Sequence, residues 1–409
     1  MKKIALLFAL LLAGSALFLG GWGGRVKRGV VVNGEAVGGM SLAAAEHTVR
    51  GKLERIPFVL HSPAGDFAPA VVYTDDLSSL LRRARRGENA CVTVRRELPD
   101  AEAFLRDVCE KNVIVPQDAS FTFSRTGFVY RAERAGRMCD FQASLRTMLA
   151  ALRAGEEGAE LVTRPWQPAV TEQLLRSRTQ RLAAFSTRFD GSRTARVHNI
   201  SLACERIAGT VLAPGEEFSF NRTVGARTRA NGFLDAPVIV AGEFVEGAGG
   251  GVCQASTTLM GAAVRAGLLV TESHPHSLSV GYVPPSQDAM VSSASDLKLR
   301  NPHPFPVYFL ARTGDGCVDF EVYGAPDGRT YEMESVVLRR IPPPPAEVTE
   351  GEEDKVLRAE KAGMVSESYL LVYGASGELL SKTLFRRDAY ACVQGKVQRA
   401  PQPSSEEKI

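Results

Sequence analysis

Residues 247–270 read GAGGGVCQASTTLMGAAVRAGLLV. Glycines lead into Cys253, which begins a run of helix formers that closes at Gly267, so the stretch predicts a flexible turn feeding a helix with Cys253 at its N-terminus. Unpaired amides and the positive end of the helix dipole favour a thiolate there, below the ~8.5 of an ordinary cysteine. The same amides can hold an oxyanion. The plain alternative is a strand-to-helix turn in which Cys253 merely packs. A phosphate-cradling loop does not fit, because no Lys follows as in a P-loop and no GxGxxG spacing is present.

A thiolate nucleophile needs a base, and the base needs a group that orients it. Of six histidines, His274 and His276 in SHPHS follow Cys253 by 21 and 23 residues, close enough for a return strand to bring either beside the helix start. Asp288 in PPSQDAMV and Asp296 in SDLKL are the nearest downstream carboxylates. His198 in ARVHNIS is a weaker base, His303 in NPHPFP reads as a loop residue, and Phe218, Phe220 and Phe233 read as core. Arg188, Arg222 and Arg227 are candidates to hold a substrate carboxylate, since a guanidinium matches that geometry, although each reads equally well as a solvated surface residue.

Away from this stretch the patterns alternate. GVVVNGEAVGGMSLAAAEHTVRGKL pairs a β-rich run and an Asn-Gly turn with a helix led by Ser41. LPDAEAFLRDVCEKNV predicts a helix opened by Asp100, FTFSRTGFVYRAERAG a hairpin, and FQASLRTMLAALRAG an amphipathic helix closed by Gly155. After Gly314 come short strands, a proline linker from Pro342 to Pro345 and an acidic loop, the pattern of a small all-β module with a disordered tail.

A chain of 409 residues is too long for one ordinary domain. With 44% hydrophobic and 23% charged residues it reads as packed and globular, and the fold class expected is multidomain α+β. Lys and Arg number 49 against 46 acids, a balance that gives no reason to expect nucleic acid as a partner. Seven cysteines leave at least one thiol unpaired, and their scatter lacks the close pairs of a metal site. Neither a metal nor another cofactor is expected. Cys91, Cys109 and Cys204 read as small buried hydrophobes.

At the N-terminus, Lys2 and Lys3 precede 21 uncharged residues from Ile4 to Gly24, followed by Arg25, Lys27 and Arg28. This is an export signal, and the run is also long enough to stay as an anchor across a ~30 Å hydrocarbon core. Residues 1–28 are therefore expected to be a signal peptide or membrane anchor, with the remainder outside the membrane. No cysteine follows the apolar run, which excludes a lipoprotein anchor.

STRFDGSRTARVHNISLACERIAGTVLAPGEEFSFNRTVGARTRANGF, GGGVCQASTTL, HPHSLSVGYVPPSQDAMV and DLKLRN together resemble the VanW domain, over residues 183–312. Residues 29–175 resemble the peptidoglycan-binding domain that often precedes it, and residues 335–398 resemble the glycine-motif β modules that commonly follow. The tail is then 399–409. The resemblance implies an L,D-transpeptidase that builds peptidoglycan cross-links through a cysteine, with Cys253 as nucleophile, His276 as base and Asp288 as its orienting carboxylate. His274 falls to a secondary, substrate-side place. The amides of Cys253 and Gln254, beside Gly251, become the expected oxyanion site, with Arg188 and Arg227 on substrate carboxylates. Ser286 departs from the family pattern, where glycine is usual. Peptidoglycan stems and glycan would be the partners. Two other readings stand beside this one: a non-catalytic wall-binding protein, and a cysteine peptidase that hydrolyses stems.

Overall fold

A computed structural model describes residues 24–240 and 243–400. Nearly all of the 1–28 signal or anchor segment and most of the 399–409 tail lie outside the described residues. Among the described residues, no helix is long and apolar enough to cross a membrane. The chain divides into two compact units, Met1–Gln117 with Arg134–Ala169, and Asp118–Glu133 with Val170–Ile409. Helices and many short sheets occur in both, so the fold is multidomain α+β.

The first unit holds two hydrophobic cores. In one, Val32, Val37, Val49 and Leu77 pack together. Here the Asn33-Gly34 turn, with φ of 52° and 81°, joins Val31–Val32 to Glu35–Ala36. Ser41 caps the Leu42–Arg50 helix by accepting the Ala44 N–H. In the other core, the Ala101–Lys111 and Phe141–Ala154 helices set Leu105, Val108, Met148 and Leu152 against Phe58 and Leu60. Gly155, left-handed at φ 85°, ends the second of these helices. Two cysteine expectations need correction. Cys109 is disulfide-bonded to Cys139, because the helix carrying it brings its Cα within 5.3 Å of the Cα ending the Gly136–Cys139 strand. Cys91 is exposed, whereas Cys204 is buried as its apolar setting predicts.

The hairpin Ser120–Ser124 and Gly127–Arg131 belongs to the second unit, although it falls within the 29–175 segment of the sequence reading. Its Phe121, Phe123 and Phe128 surround Tyr308 at ring distances of 5.9, 4.9 and 5.0 Å, which explains the assignment.

At the centre of the second unit is the Val252–Arg265 helix, in which only Cys253 and Arg265 escape full burial. Small residues permit this: a Cβ at Gly261 would meet Phe185 Cδ1 at 2.3 Å. The helix lies on an antiparallel sheet ordered Gln180–Arg188, Cys317–Gly324, Val307–Gly314, Val211–Leu212. The Thr194–Ile207 helix shares its core through Ile200, Ala203 and Ile207, with Phe218, Phe220 and Phe233 alongside. A second sheet pairs Lys298–Arg300 with both Glu217–Ser219 and Leu269–Glu272. Beyond it the chain forms two three-stranded sheets. One is built from Thr330–Ile341, Gly363–Tyr373 and Leu379–Tyr390, the other from Glu347–Glu350, Lys396–Arg399 and Lys355–Arg358.

Candidate active site

The three glycines before Cys253 are each fixed by close approach. Gly249 and Gly251 have φ of 90° and 104°, in the left-handed region where a side chain is strained. Gly250 passes so near the Asp235–Val240 strand that a Cβ would lie 2.6 Å from the Ala236 carbonyl oxygen. Asn199, fully buried on the Thr194–Ile207 helix, ties this turn down by donating from Nδ2 to the Gly250 carbonyl at 3.0 Å and the Leu234 carbonyl at 2.9 Å. Its Oδ1 accepts the Leu234 N–H at 2.8 Å.

Gly251 is the helix N-cap, and Cys253 is the second helical residue. Its sulfur lies 3.4 Å from the Val291 carbonyl and 3.5 Å from the Val291 N–H. One residue can thus accept from the thiol or donate to the thiolate. Ser256 and Thr257 hold the opposing loop in place. Ser256 Oγ donates to the Ala289 carbonyl at 2.6 Å, and the Ala289 N–H donates to Thr257 Oγ1 at 2.9 Å.

That loop carries Asp288, which is 1% exposed. Asp288 Oδ2 accepts from the His276 N–H at 2.7 Å and from His276 Nδ1 at 2.6 Å. With Nδ1–H given to the carboxylate, the other ring nitrogen is left for Cys253. Burial works against ionising Cys253, but the hydrogen bond and charge of His276, the Val291 N–H and the Arg227 charge outweigh it, and the net direction is down. Burial likewise opposes the His276 cation, yet Asp288 and the Cys253 sulfur push its pKa up to about 9. For Asp288, burial favours the neutral acid, while hydrogen bonds from His276 and Tyr390 hold its pKa below the usual carboxylate value. The arrangement stabilises a thiolate–imidazolium pair.

Cys253 and His276 open into a cleft of about 1390 Å³, which is also lined by Arg196, Arg227, Tyr282 and Lys361. Arg227 Nη1 donates to Asn221 Oδ1 at 2.6 Å, and Arg196 Nη2 donates to Gln254 Oε1 at 2.6 Å. Neither guanidinium pairs with a carboxylate among the described residues. Among those residues, no group of three or more His, Cys, Asp or Glu is placed to hold a metal.

Several sequence candidates sit elsewhere. Gln254 is buried, its Nε2 donating to the Arg188 carbonyl at 2.8 Å and to Thr187 Oγ1 at 3.0 Å. Its main-chain N–H donates to the Gly251 carbonyl at 2.9 Å, which removes that amide from the oxyanion role. The Cys253 N–H has no partner among the described residues and keeps the role open. Arg188 lines an adjacent pocket of about 670 Å³ in place of the cysteine cleft. His274 Nε2 sits 3.1 Å from Glu272 Oε1, a carboxylate held at about 2 chiefly by Lys298 and His274, and His274 is not among the residues that line the sulfur cleft. Arg222 donates to the Glu217 carbonyl, and His198 Nε2 contacts the Gly232 carbonyl. Asp296 caps the Phe220–Val224 helix by accepting the Asn221 N–H at 2.8 Å. His303 is buried, stacked on Phe305 and 2.9 Å from the Ala266 carbonyl. Ser286 adopts φ 62°, in the left-handed region that favours glycine; its Oγ lies 2.7 Å from Ser366 Oγ. Arg196, Asn199, Tyr282 and Val291 were not picked out from the sequence. Arg196, Asn199 and Ile200 do share one helical face, the only local signal they offered.

Residues 195–323 match the family model described as VanW like protein. Over that stretch the chain is similar to the VanW family. Over 183 residues the chain is 40% identical to the Bacillus subtilis (strain 168) protein YoaR, covering 44% of this chain and 58% of that one. Over 112 residues it is 30% identical to the vancomycin B-type resistance protein VanW of Enterococcus faecalis (strain ATCC 700802 / V583), covering 26% of this chain and 41% of that one. The chain therefore spans less than two thirds of the length of either relative. A solved structure titled HP0197-G5 aligns with 17% of this chain and 96% of its own, at 16% identity and a TM-score of 0.12, too low a value to speak to the fold.

Proposed function

We propose that the VanW-like domain is an acyltransferase of the cell wall, an L,D-transpeptidase that makes 3-3 cross-links through a thioester on Cys253. The observation that carries this reading is the Cys253 sulfur at a glycine-led helix start, facing a His276 that is clamped by Asp288. Cys253 Sγ attacks the carbonyl joining the third stem residue to terminal D-Ala. The carbon–nitrogen bond breaks as the His276 cation gives its proton to the departing D-Ala amine. The side-chain amine of a second stem then attacks the thioester, passes its proton to His276 and releases the thiolate. Water in place of that amine would give hydrolysis from the same intermediate.

The Cys253 N–H and the helix dipole supply the oxyanion stabilisation. Arg196 and Arg227, cations without carboxylate partners on the cleft wall, fit the carboxylates of a stem peptide. A relative named for vancomycin resistance supports a place at the cell wall. The Cys109–Cys139 disulfide supports export to an oxidising compartment. Residues 29–175 would then hold glycan or stems, as the resemblance of that segment suggests.

The deciding experiment incubates the chain from residue 29 onward with purified disaccharide-tetrapeptide and analyses the products by mass. Cross-linked dimer with loss of D-Ala is expected, and Cys253→Ala should abolish it. Dimer formed by Cys253→Ala would end the mechanism, and tripeptide alone would make the site a hydrolase.

A further inference from the structure

Asp288 makes two sets of contacts, and only one comes from the segment that carries Cys253 and His276. Oδ2 serves His276, as described above. Oδ1 and the main-chain carbonyl are taken by the Leu379–Tyr390 strand of the C-terminal sheets. Tyr390 Oη donates to Oδ1 at 2.6 Å. Arg386 Nη2 donates to Oδ1 at 3.2 Å and to the Asp288 carbonyl at 2.7 Å. Both donors are held in turn. The Ser286 N–H donates to Tyr390 Oη at 2.7 Å, so the single phenolic proton points to Asp288. Arg386 Nε donates to Asp388 Oδ2 at 2.7 Å, and Nη1 to Ser273 Oγ at 3.2 Å.

Arg386, Asp388 and Tyr390 alternate along the strand, so their side chains leave it on one face, and that face is the one turned to Asp288. Tyr390 is 2% exposed and Asp388 7% exposed. The same module adds the Ala391 N–H donated to the Ser277 carbonyl at 2.8 Å, next to His276. A buried carboxylate bearing four hydrogen bonds is fixed in charge and direction, and two of the four come from about a hundred residues downstream of it.

The geometry points to a composite site in which Arg386 and Tyr390 are positioning residues: the C-terminal β-module keeps Asp288 ionised and aimed at His276, and so sustains the Cys253 thiolate. Without them, the Asp288 carboxylate loses two of its partners, the imidazolium loses its counter-charge, and the sulfur returns toward an ordinary thiol. The charged and titratable groups facing the Cys253–His276 pair are Asp288, Arg196, Arg227 and Tyr282, with Arg358, Glu360 and Lys361 on the cleft wall and, through Asp288, Arg386, Asp388 and Tyr390. The inference rests on the reading of Cys253 as the activated thiol, but it does not require that the acyl acceptor be an amine.

The test is the rate of iodoacetamide alkylation of Cys253 from about pH 5 to about pH 10, read by mass spectrometry on the peptide that contains it. It uses the unsubstituted chain, Tyr390→Phe, Arg386→Gln and Arg386→Lys, each checked for folding by its thermal melt. In the unsubstituted chain the rate should rise at a pH below that of an ordinary thiol. In Tyr390→Phe and Arg386→Gln the rise should move up by about one pH unit, about tenfold slower alkylation on the slope, with Arg386→Lys recovering part of the loss. A merely structural role would lower the melting temperature and leave the rise where it was. Coincident curves in folded variants overturn the proposal, as does an ordinary thiol in the unsubstituted chain. If Arg386→Gln does not fold, Tyr390→Phe, which loses one oxygen, decides. A shifted curve without cross-linked product from any of the proteins would leave the composite site standing and remove the transpeptidase.

Discussion

Asn199 Nδ2 donates to the Gly250 carbonyl at 3.0 Å, so a fully buried amide 51 residues upstream sets the main chain that leads into Cys253. Asn199 also exchanges two hydrogen bonds with Leu234, at 2.9 and 2.8 Å, and thereby joins the glycine turn to the strand it crosses. A buried amide that serves three backbone groups is hard to replace: a smaller residue leaves the Gly250 carbonyl and the Leu234 N–H dry and unpaired, while the Leu234 carbonyl keeps the Gly249 N–H at 3.1 Å.

Asn199→Ala should therefore destabilise the second unit by about 2–4 kcal/mol, since each buried polar group left without a partner costs about 1–3 kcal/mol. For a domain of this size that is a fall in Tm of roughly 5–15 °C. A thermal melt checks it. A Tm within a degree or two of the parent would mean that the turn is held by something other than Asn199.

Gly250→Ala should be worse for the site than for the fold. The added Cβ would meet the Ala236 carbonyl oxygen at 2.6 Å, and backbone cannot swing aside as a side chain can. Overpacking of this kind costs about 1–3 kcal/mol. The relief available is to push Gly249–Gly251 away from the strand, which moves the helix start and the Cys253 sulfur off His276. Alkylation of Cys253 at neutral pH should slow about tenfold or more while the protein stays folded. An unchanged alkylation rate would show that the turn accommodates the methyl group.

The helix start was legible because its signal is local: glycines that no side chain can replace, then a run of helix formers. The sequence neighbourhood narrowed the base to His274 or His276 and left Asp288 and Asp296 open as its carboxylate; only the resemblance chose between them, and the structure pairs His276 with Asp288, 12 residues on. The contributions of Arg386 and Tyr390 were not legible, since 98 and 102 residues separate them from Asp288 and the strand that bears them reads as ordinary alternation. Cys109 misled for a related reason: FLRDVCEK has a helical pattern whether the thiol packs or pairs, and Cys139 lies 30 residues away. The Ser120–Ser124 hairpin was read correctly as local structure, but its grouping depends on Tyr308, a contact that no local pattern announces. Gln254 was assigned to the oxyanion site through its position next to Cys253, and the Gly251 carbonyl claimed its amide.

Arg227→Lys tests the carboxylate-binding reading of the cleft. Lys keeps the positive charge beside the sulfur but loses the planar fork that grips a carboxylate with two hydrogen bonds. Losing one such bond is worth about 1 kcal/mol, so KM for the tetrapeptide donor should rise roughly fivefold with kcat little changed. Arg227→Gln removes the charge as well, and because that charge helps hold the Cys253 pKa down, it should also slow acylation at neutral pH. Equal KM values for the parent and Arg227→Lys would place the substrate carboxylate elsewhere, with Arg196 the next candidate on the cleft wall.

Acylation by the parent chain should follow a bell in pH, and the signs assign its limbs. Cys253 has its pKa lowered despite burial, through the His276 hydrogen bond and charge, so the thiolate persists below the ordinary thiol range and is lost only as pH falls through that lowered value. His276 is raised to about 9 against burial by Asp288 and Cys253, so the proton needed by the leaving amine persists until pH climbs through about 9. The two limbs belong to the coupled pair more than to either residue. Replacing His276 by Ala takes away the counter-charge and the proton donor together. The rate should then fall by roughly 10² to 10⁴. The acid limb should move up toward the ~8.5 of a free cysteine, and the descending limb near 9 should vanish. Pre-steady-state release of D-Ala, measured across pH for the parent and His276→Ala, reads both limbs. A bell that survives the substitution with both limbs in place would take His276 out of the mechanism.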